Sequence, residues 1–306
     1  MTRGHLSDTS LHMPHNPARD TVLPPGTPCR GKKPACPASA RPPDRLSIYY
    51  LQGRVPPGLF ADRDCLGTWE EGEASFVFFS RPALERVQKR IEGRSGLSLV
   101  DHYQMSYAEW QGGRVARFSI GPLTVIPAWE AEALESDEGP ILHDPGVVFG
   151  SGLHTTTRDC LLALTRVPPA RIGRTVLDIG TGSGLLAIAA ARLGWRRVVA
   201  LDLNPLAVRT AQRNVRLNEL QHRVLPVVSQ AVPLPCGDPE LIVANIHFDV
   251  MQELVQLSVF ARCPAFILSG LLPSQMEVIK AGLRRSGRTI QETFSEDGTW
   301  QTCLGL

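Results

Sequence analysis

The sequence LDIGTGSGLLAIAA, residues 177–190, places three glycines at alternate positions between an apolar strand and an apolar helix. Gly180 and Gly182 permit a sharp turn between the two elements, and Gly184 opens the helix. A strand that turns directly into a helix is the building unit of a parallel α/β sheet. This stretch therefore constrains the fold of the chain on both sides of it.

Apolar segments of strand length alternate with longer segments of helical periodicity throughout the carboxyl-terminal half of the chain. Such alternation is typical of βαβ units, which form a largely parallel sheet with helices on both faces. We therefore predict an α/β fold with a doubly wound sheet. The predicted strands are 175–179, 197–202, 224–229, 241–246 and 265–268, and the predicted helices are 184–193, 205–217, 250–258 and 273–286.

The amino-terminal part of the chain has a different pattern, with short β-rich stretches and one amphipathic helix. Strands are predicted in LSIYYLQG, ASFVFFS, LSLVDHY and GPLTVIPAWE, and a helix in RPALERVQKRIEG. These elements predict a smaller α+β domain over 46–127. An acidic linker over 128–142 is predicted to follow it, and the doubly wound domain is predicted over 143–306. Residues 1–45 contain nine prolines and few large apolar side chains, which predicts a disordered basic tail.

The spacing of the glycines discriminates among the ligands that such a turn can hold. A dinucleotide fingerprint has the form GxGxxG, whereas Leu185 stands where its third glycine would be. No GK[ST] sequence follows, as it would in a phosphate-binding P-loop. Asp178 precedes the glycines, and Asp202 ends the next strand, where an acid typically binds ribose hydroxyls. These features indicate a nucleoside ligand with cationic or hydrogen-bond-donating groups.

Together these residues resemble the DxGxGxG pattern of class I methyltransferases, whose sheet is Rossmann-like and whose cofactor is S-adenosylmethionine. Further motifs are similar to those of the ribosomal protein L-eleven methyltransferase family (PrmA type), which carries DPGxAFGTGxHxTT, ANI and SGIL. This chain has HDPGVVFGSGLHTTT at 143–157, ANI at 244–246 and SGLL at 269–272. The resemblance covers about residues 101–295 and implies transfer of methyl groups to lysine or α-amino groups of a large-subunit ribosomal protein.

The resemblance also implies roles for individual residues. Thr157 corresponds to a cofactor-contacting threonine, and Asn245 lies beside the reactive methyl group, where it is the predicted catalytic residue. The loop 146–152 closes over the cofactor with Phe149 near it, and His154 matches a loop histidine that is either structural or a base. The predicted cofactor-binding residues are Phe149, Thr157, Asp178, Gly180, Gly182, Gly184, Asp202 and Asn245.

The chain departs from the family pattern at several positions. Ser151 and Val148 replace a threonine and an alanine of the loop, and both are compatible in shape. His247 follows ANI where the family has an aliphatic residue, so that it either lines the acceptor pocket or merely ends the strand. The Pro-Pro pair at 56–57 falls where a ferredoxin-like amino-terminal domain has its first helix, so that residues 54–73 predict a loop or a short helix.

Composition limits the partners of the chain. It has 32 Lys and Arg against 30 Asp and Glu, and residues 46–306 alone are slightly acidic, whereas nucleic-acid-binding domains usually carry a basic surface. Seven cysteines without a CxxC pair indicate reduced thiols, and no histidine has metal-ligand spacing. No apolar run reaches the ~18 residues that cross a bilayer. We expect a cytoplasmic monomer with a protein substrate, without a metal, a membrane or direct nucleic-acid binding.

Three alternatives remain open. A lysine methyltransferase acting on a different protein, such as a flavoprotein subunit, would share the cofactor motifs but differ in its recognition domain. An RNA or DNA methyltransferase would commonly show [DN]PP[YF] where this chain has ANIH. A non-catalytic scaffold that binds the cofactor would not need the combination of Asp178, Asp202 and Asn245.

Overall fold

The computed structural model describes residues 41–133, 139–167, 175–229 and 238–306. The predicted tail over 1–45 lies almost entirely outside the described residues, as does the middle of the predicted linker. All described residues belong to one compact unit, Pro37–Leu306. Among them, no helix is both long enough and apolar enough to cross a membrane.

The first sheet is built from β1 (Arg45–Gln52), β2 (Cys65–Glu71), β3 (Ala74–Phe79) and β4 (Ser98–Ser106). Its strands are antiparallel neighbours in the order β2-β3-β1-β4. Helix α1 (Leu84–Ile91) connects β3 to β4 and buries Val87 and Ile91 in the same apolar cluster as one face of the sheet. A short helix, α2 (Tyr107–Gln111), follows β4 directly and is capped by Ser106.

Strand β2 corrects the prediction for residues 54–73, where the structure has a strand and no helix. The sequence signal for β2 is weak because Gly67, with φ of +144°, interrupts the strand where its pairing with β3 shifts in register. A Cβ added to Gly67 would lie 2.4 Å from Cδ1 of Leu206, so the small sheet closely approaches the carboxyl-terminal half here. A ferredoxin-like unit has the order βαββαβ, and its first helix is absent between β1 and β2.

The predicted linker over 128–142 has regular structure at both ends. Strands β5 (Phe118–Ile120), β6 (Leu123–Pro127) and β7 (Ile141–His143) form a three-stranded sheet in which β6 and β7 are parallel. A 3-10 helix spans Ala128–Ala133. Strand β7 therefore fixes the start of the glycine-containing loop that follows His143.

The carboxyl-terminal half forms a seven-stranded sheet. Its strands are β8 (Thr175–Ile179), β9 (Arg197–Asp202), β10 (Val224–Val228), β11 (Leu241–Asn245), β12 (Ala265–Leu271), β13 (Glu292–Phe294) and β14 (Gln301–Gly305). The order is β10-β9-β8-β11-β12-β14-β13, and β14 alone among the strands of this sheet is antiparallel to both of its neighbours. The predicted doubly wound, largely parallel sheet is confirmed.

Six helices among the described residues of this half cover both faces of the sheet. They are α3 (Thr155–Arg166), α4 (Leu185–Arg192), α5 (Pro205–Leu217), α6 (Phe248–Leu254), α7 (Ser258–Arg262) and α8 (Pro273–Arg285). Val176 packs in the apolar cluster of α3 and α4, and its neighbour Leu177 in that of α6 to α8, since successive side chains of a strand alternate between faces. The helix predicted over 250–258 is instead two helices, because the backbone of Leu257 is extended.

Candidate functional site

The glycine turn follows β8 at the carboxyl edge of the large sheet. Gly180, Gly182 and Gly184 have φ of +70°, +55° and +85°, a left-handed conformation that glycine adopts without strain. A Cβ added to Gly182 would lie 2.5 Å from the carbonyl oxygen of Phe149, and one added to Gly180 would lie 2.3 Å from Cγ2 of Ile246. The atoms that require glycine at these two positions therefore belong to the adjacent loop and strand end of the protein itself.

We expect Gly182→Ala to lower the free energy of unfolding by about 3 kcal/mol, because it adds a backbone clash to left-handed strain. Gly72→Ala is the matched control, since Gly72 has φ of +60° and no atom within 4 Å of its added Cβ. The control should lose only about 1 kcal/mol, from strain alone. Urea unfolding measures both, and equal losses would show that the contact with Phe149 does not matter.

Asp178 is a buried carboxylate in β8, with 1 % of its surface exposed. Its Oδ2 accepts a hydrogen bond from Oγ1 of Thr181 at 2.6 Å, while its Oδ1 is buried without a partner among the described residues. Burial raises the pKa of Asp178 to about 7; the Thr181 hydroxyl opposes this rise, and the charge of Asp202 adds to it. The site thus contains a carboxyl group that titrates near neutral pH.

Asp202 ends β9 and joins the glycine turn to the next helix. Its Oδ2 accepts from the backbone N–H of Gly182 and its Oδ1 from that of Asn204, both at 2.9 Å. Burial raises the pKa of Asp202, although these N–H groups lower it. Asn204 in turn caps α5, because its Oδ1 accepts from the N–H of Leu206 at 2.9 Å.

The raised pKa of Asp178 predicts a pH-dependent effect on stability. The folded protein keeps this proton up to about pH 7, whereas the unfolded chain releases it near the ordinary value of 3.8. Asp178 therefore destabilises the fold as pH rises between these values, by a penalty on the order of 4 kcal/mol above them. Without cofactor, Asp178→Asn should raise the melting temperature at pH 8 and raise it much less at pH 5.

Asp238→Asn is the control for this pH experiment. Arg262 lowers the pKa of the exposed Asp238 carboxyl through a hydrogen bond, so removing its charge should bring no gain in stability at pH 8. Calorimetry at the two pH values measures the melting temperatures. A gain for Asp178→Asn that is equal at pH 5 and pH 8 would contradict the raised pKa.

Asn245 ends β11, and two neighbouring elements determine where its side chain lies. Its Nδ2 donates to Oγ1 of Thr156 in α3 at 3.2 Å. A Cβ added to Gly270 of β12 would lie 3.2 Å from Oδ1 of Asn245, so that glycine leaves room for the amide. Thr157, beside Thr156, is 1 % exposed and its hydroxyl has no partner among the described residues.

The loop 146–152 lies directly on the glycine turn. The carbonyl oxygen of Phe149 accepts from the backbone N–H of Ser183 at 2.9 Å, and the Ser183 hydroxyl donates to the carbonyl of Gly150 at 2.8 Å. On the other side, Oη of Tyr107 in α2 donates to the carbonyl of Gly146 at 2.7 Å. The loop is thus held between the amino-terminal sheet and the glycine turn, while the Phe149 side chain is 47 % exposed.

These contacts bring the eight predicted cofactor-binding residues to one edge of the sheet, around the turn that joins β8 to α4. Over residues 92–305 the chain matches the family model described as ribosomal protein L11 methyltransferase (PrmA). The chain belongs to this family. The PrmA match covers α3, the glycine turn, Asp202 and Asn245, and it leaves β1, β2, β3 and α1 outside.

Individual PrmA relatives agree with the family model. A ribosomal protein L11 methyltransferase of Anoxybacillus flavithermus is 41% identical over 175 residues, which are 56% of this chain and 55% of that protein. One of Pelotomaculum thermopropionicum is 39% identical over 180 residues, 58% of this chain and 58% of that protein. The chain thus spans little more than half the length of the curated relatives that it matches.

A solved PrmA structure has the same fold. The ribosomal protein L11 methylase of Lactobacillus delbrueckii subsp. bulgaricus matches with a TM-score of 0.55 and 29% identity, covering 62% of this chain and 98% of that chain. The match confirms the Rossmann-like methyltransferase fold that the sequence motifs imply.

An apolar groove of about 800 Å³ is lined by residues of the small sheet of this PrmA chain and of the loop 146–152. Tyr103, Trp110 and Phe149 line it, and each is more than a third exposed. Trp110 is oriented by a hydrogen bond from its Nε1 to the carbonyl of Val147 at 3.1 Å. The groove therefore offers aromatic surface next to the loop that covers the glycine turn.

Two residues of this PrmA site were not predicted from the sequence. The hydroxyl that binds Asn245 belongs to Thr156, one position before the predicted Thr157. Trp300 lies just before β14, a strand that was not predicted. The ring centroid of Trp300 is 5.7 Å from that of His154. No signal in the sequence connects Trp300 with a loop almost 150 residues earlier.

His247, which follows the ANI motif of the PrmA site, has an exposed side chain. The side chain of His247 is 76% exposed, and its Nδ1 lies 3.4 Å from Oδ2 of Asp249. Across the described ranges, no cluster of three or more His, Cys, Asp or Glu side chains could hold a metal ion.

Proposed function

We propose that the chain is an S-adenosylmethionine-dependent methyltransferase that modifies lysine or α-amino groups of a large-subunit ribosomal protein. The observation that carries this proposal is the placement of Asp178, Asp202 and Asn245 around one glycine turn in a chain of the PrmA family. The names of its relatives, which are ribosomal protein L11 methyltransferases, support the choice of substrate.

The residues present fit the proposed cofactor. Two buried polar atoms at the turn and beside it, Oδ1 of Asp178 and Oγ1 of Thr157, have no partner among the described residues. Unpaired buried polar groups are rare and call for a partner. An acceptor on Asp178 suits a cationic amino group, and Asp202 stands where ribose hydroxyls are bound in related sheets. Phe149 and the glycines at 180, 182 and 184 would border the same ligand.

S-adenosylmethionine, when bound, supplies an electrophilic methyl group on a sulfonium that leaves as a neutral thioether. The protein must present a neutral amine to it, although a lysine with a pKa near 10.4 is mostly charged at pH 7. Partial burial lowers that pKa and so favours the neutral form. We assign Asn245 the task of orienting the amine, since its Nδ2 is engaged by Thr156 and its Oδ1 remains to accept an N–H.

Proton balance then requires no dedicated general base. The acceptor amine would lose one proton to solvent before it reacts. With the cofactor bound, the N–CH₃ bond would form as the C–S bond broke, so that the positive charge of the sulfonium would pass to the methylated ammonium. The chain's contribution is positioning and exclusion of water, which can supply a large part of a methyl-transfer rate.

The groove beside the loop 146–152 is the route we propose for the acceptor segment. Its aromatic side chains, Tyr103, Trp110 and Phe149, provide apolar contact, and Glu71 and Glu109 add negative charge that suits a cationic lysine.

Labelling by S-adenosylmethionine tests the proposed function. The protein is incubated with the cofactor carrying a labelled methyl group and with extract, purified ribosomal protein L11 or rRNA. Label in a large-subunit ribosomal protein is the expected result. Label in another protein, such as a flavoprotein subunit, or in RNA would replace the proposed substrate, and cofactor binding without transfer would indicate a scaffold. We further propose a cytoplasmic monomer without direct nucleic-acid binding, which gel filtration and RNA titration test.

A further inference from the structure

Helix α3 begins next to His154, whose ring is contacted by aromatic groups from two distant segments. The ring centroid of Phe149, in the loop 146–152, lies 5.5 Å away, and that of Trp300, just before β14, lies 5.7 Å away. These contacts restrict the orientation of the imidazole. Its Nδ1 consequently faces the first turn of α3, where Thr156 lies.

A chain of hydrogen bonds leads from His154 to Asn245. Nδ1 of His154 accepts from the backbone N–H of Thr156 at 3.4 Å and lies 2.8 Å from the Thr156 hydroxyl. That hydroxyl accepts from Nδ2 of Asn245 at 3.2 Å. A nitrogen that accepts an N–H carries no proton, so the Thr156 hydroxyl must be the donor to it. The hydroxyl lone pairs then remain for Asn245, and the NH₂ end of the amide is the end that can approach them.

We propose that His154 and Thr156 are positioning residues that determine which end of the Asn245 amide faces the methyl acceptor. An amide rotated by 180° would turn its Oδ1 towards the lone pairs of Thr156 and its NH₂ group towards the incoming amine. Such an amide could not accept an N–H from the amine. The rotated state also breaks a hydrogen bond in the chain to His154, which disfavours it. This inference rests on the proposed role of Asn245.

Paired variants of Thr156 and His154 test the proposal in the methyl-transfer assay. Thr156→Val removes the hydroxyl and should lower kcat about tenfold, the effect of one hydrogen bond, with KM for cofactor and acceptor changed less than about twofold. Thr156→Ser keeps the hydroxyl and should restore kcat. His154→Asn keeps an acceptor and a good helix cap, so it should exceed His154→Phe in kcat. A change confined to KM would overturn the proposal.

A double variant separates positioning from a general structural role. In the Asn245→Ala background, Thr156→Val should have no further effect on kcat, because Thr156 acts through the amide that is already absent. If the two changes multiply, Thr156 acts by another route and the proposal is wrong. Should Thr156→Val fail to fold, Thr156→Ala provides the same comparison.

A spectroscopic measurement is independent of methyl transfer. The side-chain NH₂ signals of Asn245 in a ¹H–¹⁵N spectrum are identified by their loss in Asn245→Ala. Thr156→Val should shift them towards the values of solvent-exposed amides, and Thr156→Ser should leave them nearly unchanged. Signals that Thr156→Val does not shift would overturn the positioning proposal. The expected shifts without methyl transfer by the unmodified protein would support the positioning contact and contradict only the proposed function.

Discussion

Replacing Asn245 by Ala should lower kcat, measured at saturating S-adenosylmethionine, by about 10²-fold, while the melting temperature changes little. The reason is geometric: the side chain is held by Thr156 and fitted against Gly270, so its Oδ1 is a fixed acceptor at the end of β11. Without that acceptor, the amine binds in many orientations, and loss of orientation at a reacting centre has effects of this size. Single-turnover transfer of labelled methyl groups to ribosomal protein L11 measures the change.

Asp249→Ala is the matched control for Asn245→Ala. Asp249 follows the same strand, but its side chain is 77% exposed at the start of α6. The control should keep turnover within about twofold of the unmodified protein, as surface substitutions do. Near-normal turnover of Asn245→Ala, at a cofactor concentration that saturates it, would remove Asn245 from the mechanism.

The second large effect is expected in cofactor binding. Asp202→Ala should weaken the binding of S-adenosylmethionine by about 10²-fold, because a carboxylate that accepts two ribose hydroxyls contributes hydrogen bonds of about 1.5–3 kcal/mol each. The change also leaves the N–H groups of Gly182 and Asn204 without their acceptor. The glycine turn and the start of α5 are then no longer joined through this side chain. Isothermal titration measures the dissociation constant.

Asp238→Ala controls for the loss of one negative charge, since Asp238 is exposed and pairs with Arg262. It should bind the cofactor as the unmodified protein does. Binding by Asp202→Ala within threefold of normal would show that the carboxylate serves the fold alone. The melting temperatures of Asp202→Ala and the unmodified protein show whether the substitution weakens cofactor binding alone or also destabilises the fold.

The parallel part of the large sheet could be predicted from the sequence because its strands are buried on both faces. β11 and β12 are nearly continuous runs of apolar residues, and α5 has both a capping Asn204 and Pro205 at its start. Such signals are local. The predicted site residues Asp178, Asp202 and Asn245 each lie at or next to the carboxyl end of a strand, and parallel strands bring these ends to one edge of the sheet.

The remaining elements depend on contacts that no local signal records. Gly67 of β2 packs against Leu206 of α5, which is distant in sequence, and β13 is only three residues long. Helix α3 was not among the predicted helices, although His154 caps it. The role of Thr156 depends on three segments meeting in space. Its neighbour Thr157 was predicted from the family resemblance, and its binding of cofactor stays a prediction.

The antiparallel strand β14 has a consequence for the order in which the protein is completed during synthesis. Because β14 runs opposite to β12, the turn before it reaches the edge where the parallel strands end. There Asp297 accepts a hydrogen bond from Thr155, and the ring of Trp300 lies tilted against that of His154. Phe149, Asp202 and Ile246, which contact the glycine turn, are synthesised before these two residues. In a nascent chain the glycine turn can therefore form first, and His154, through which we propose that Asn245 is positioned, gains its contact with Trp300 only after β14 has been synthesised and can pair with β12.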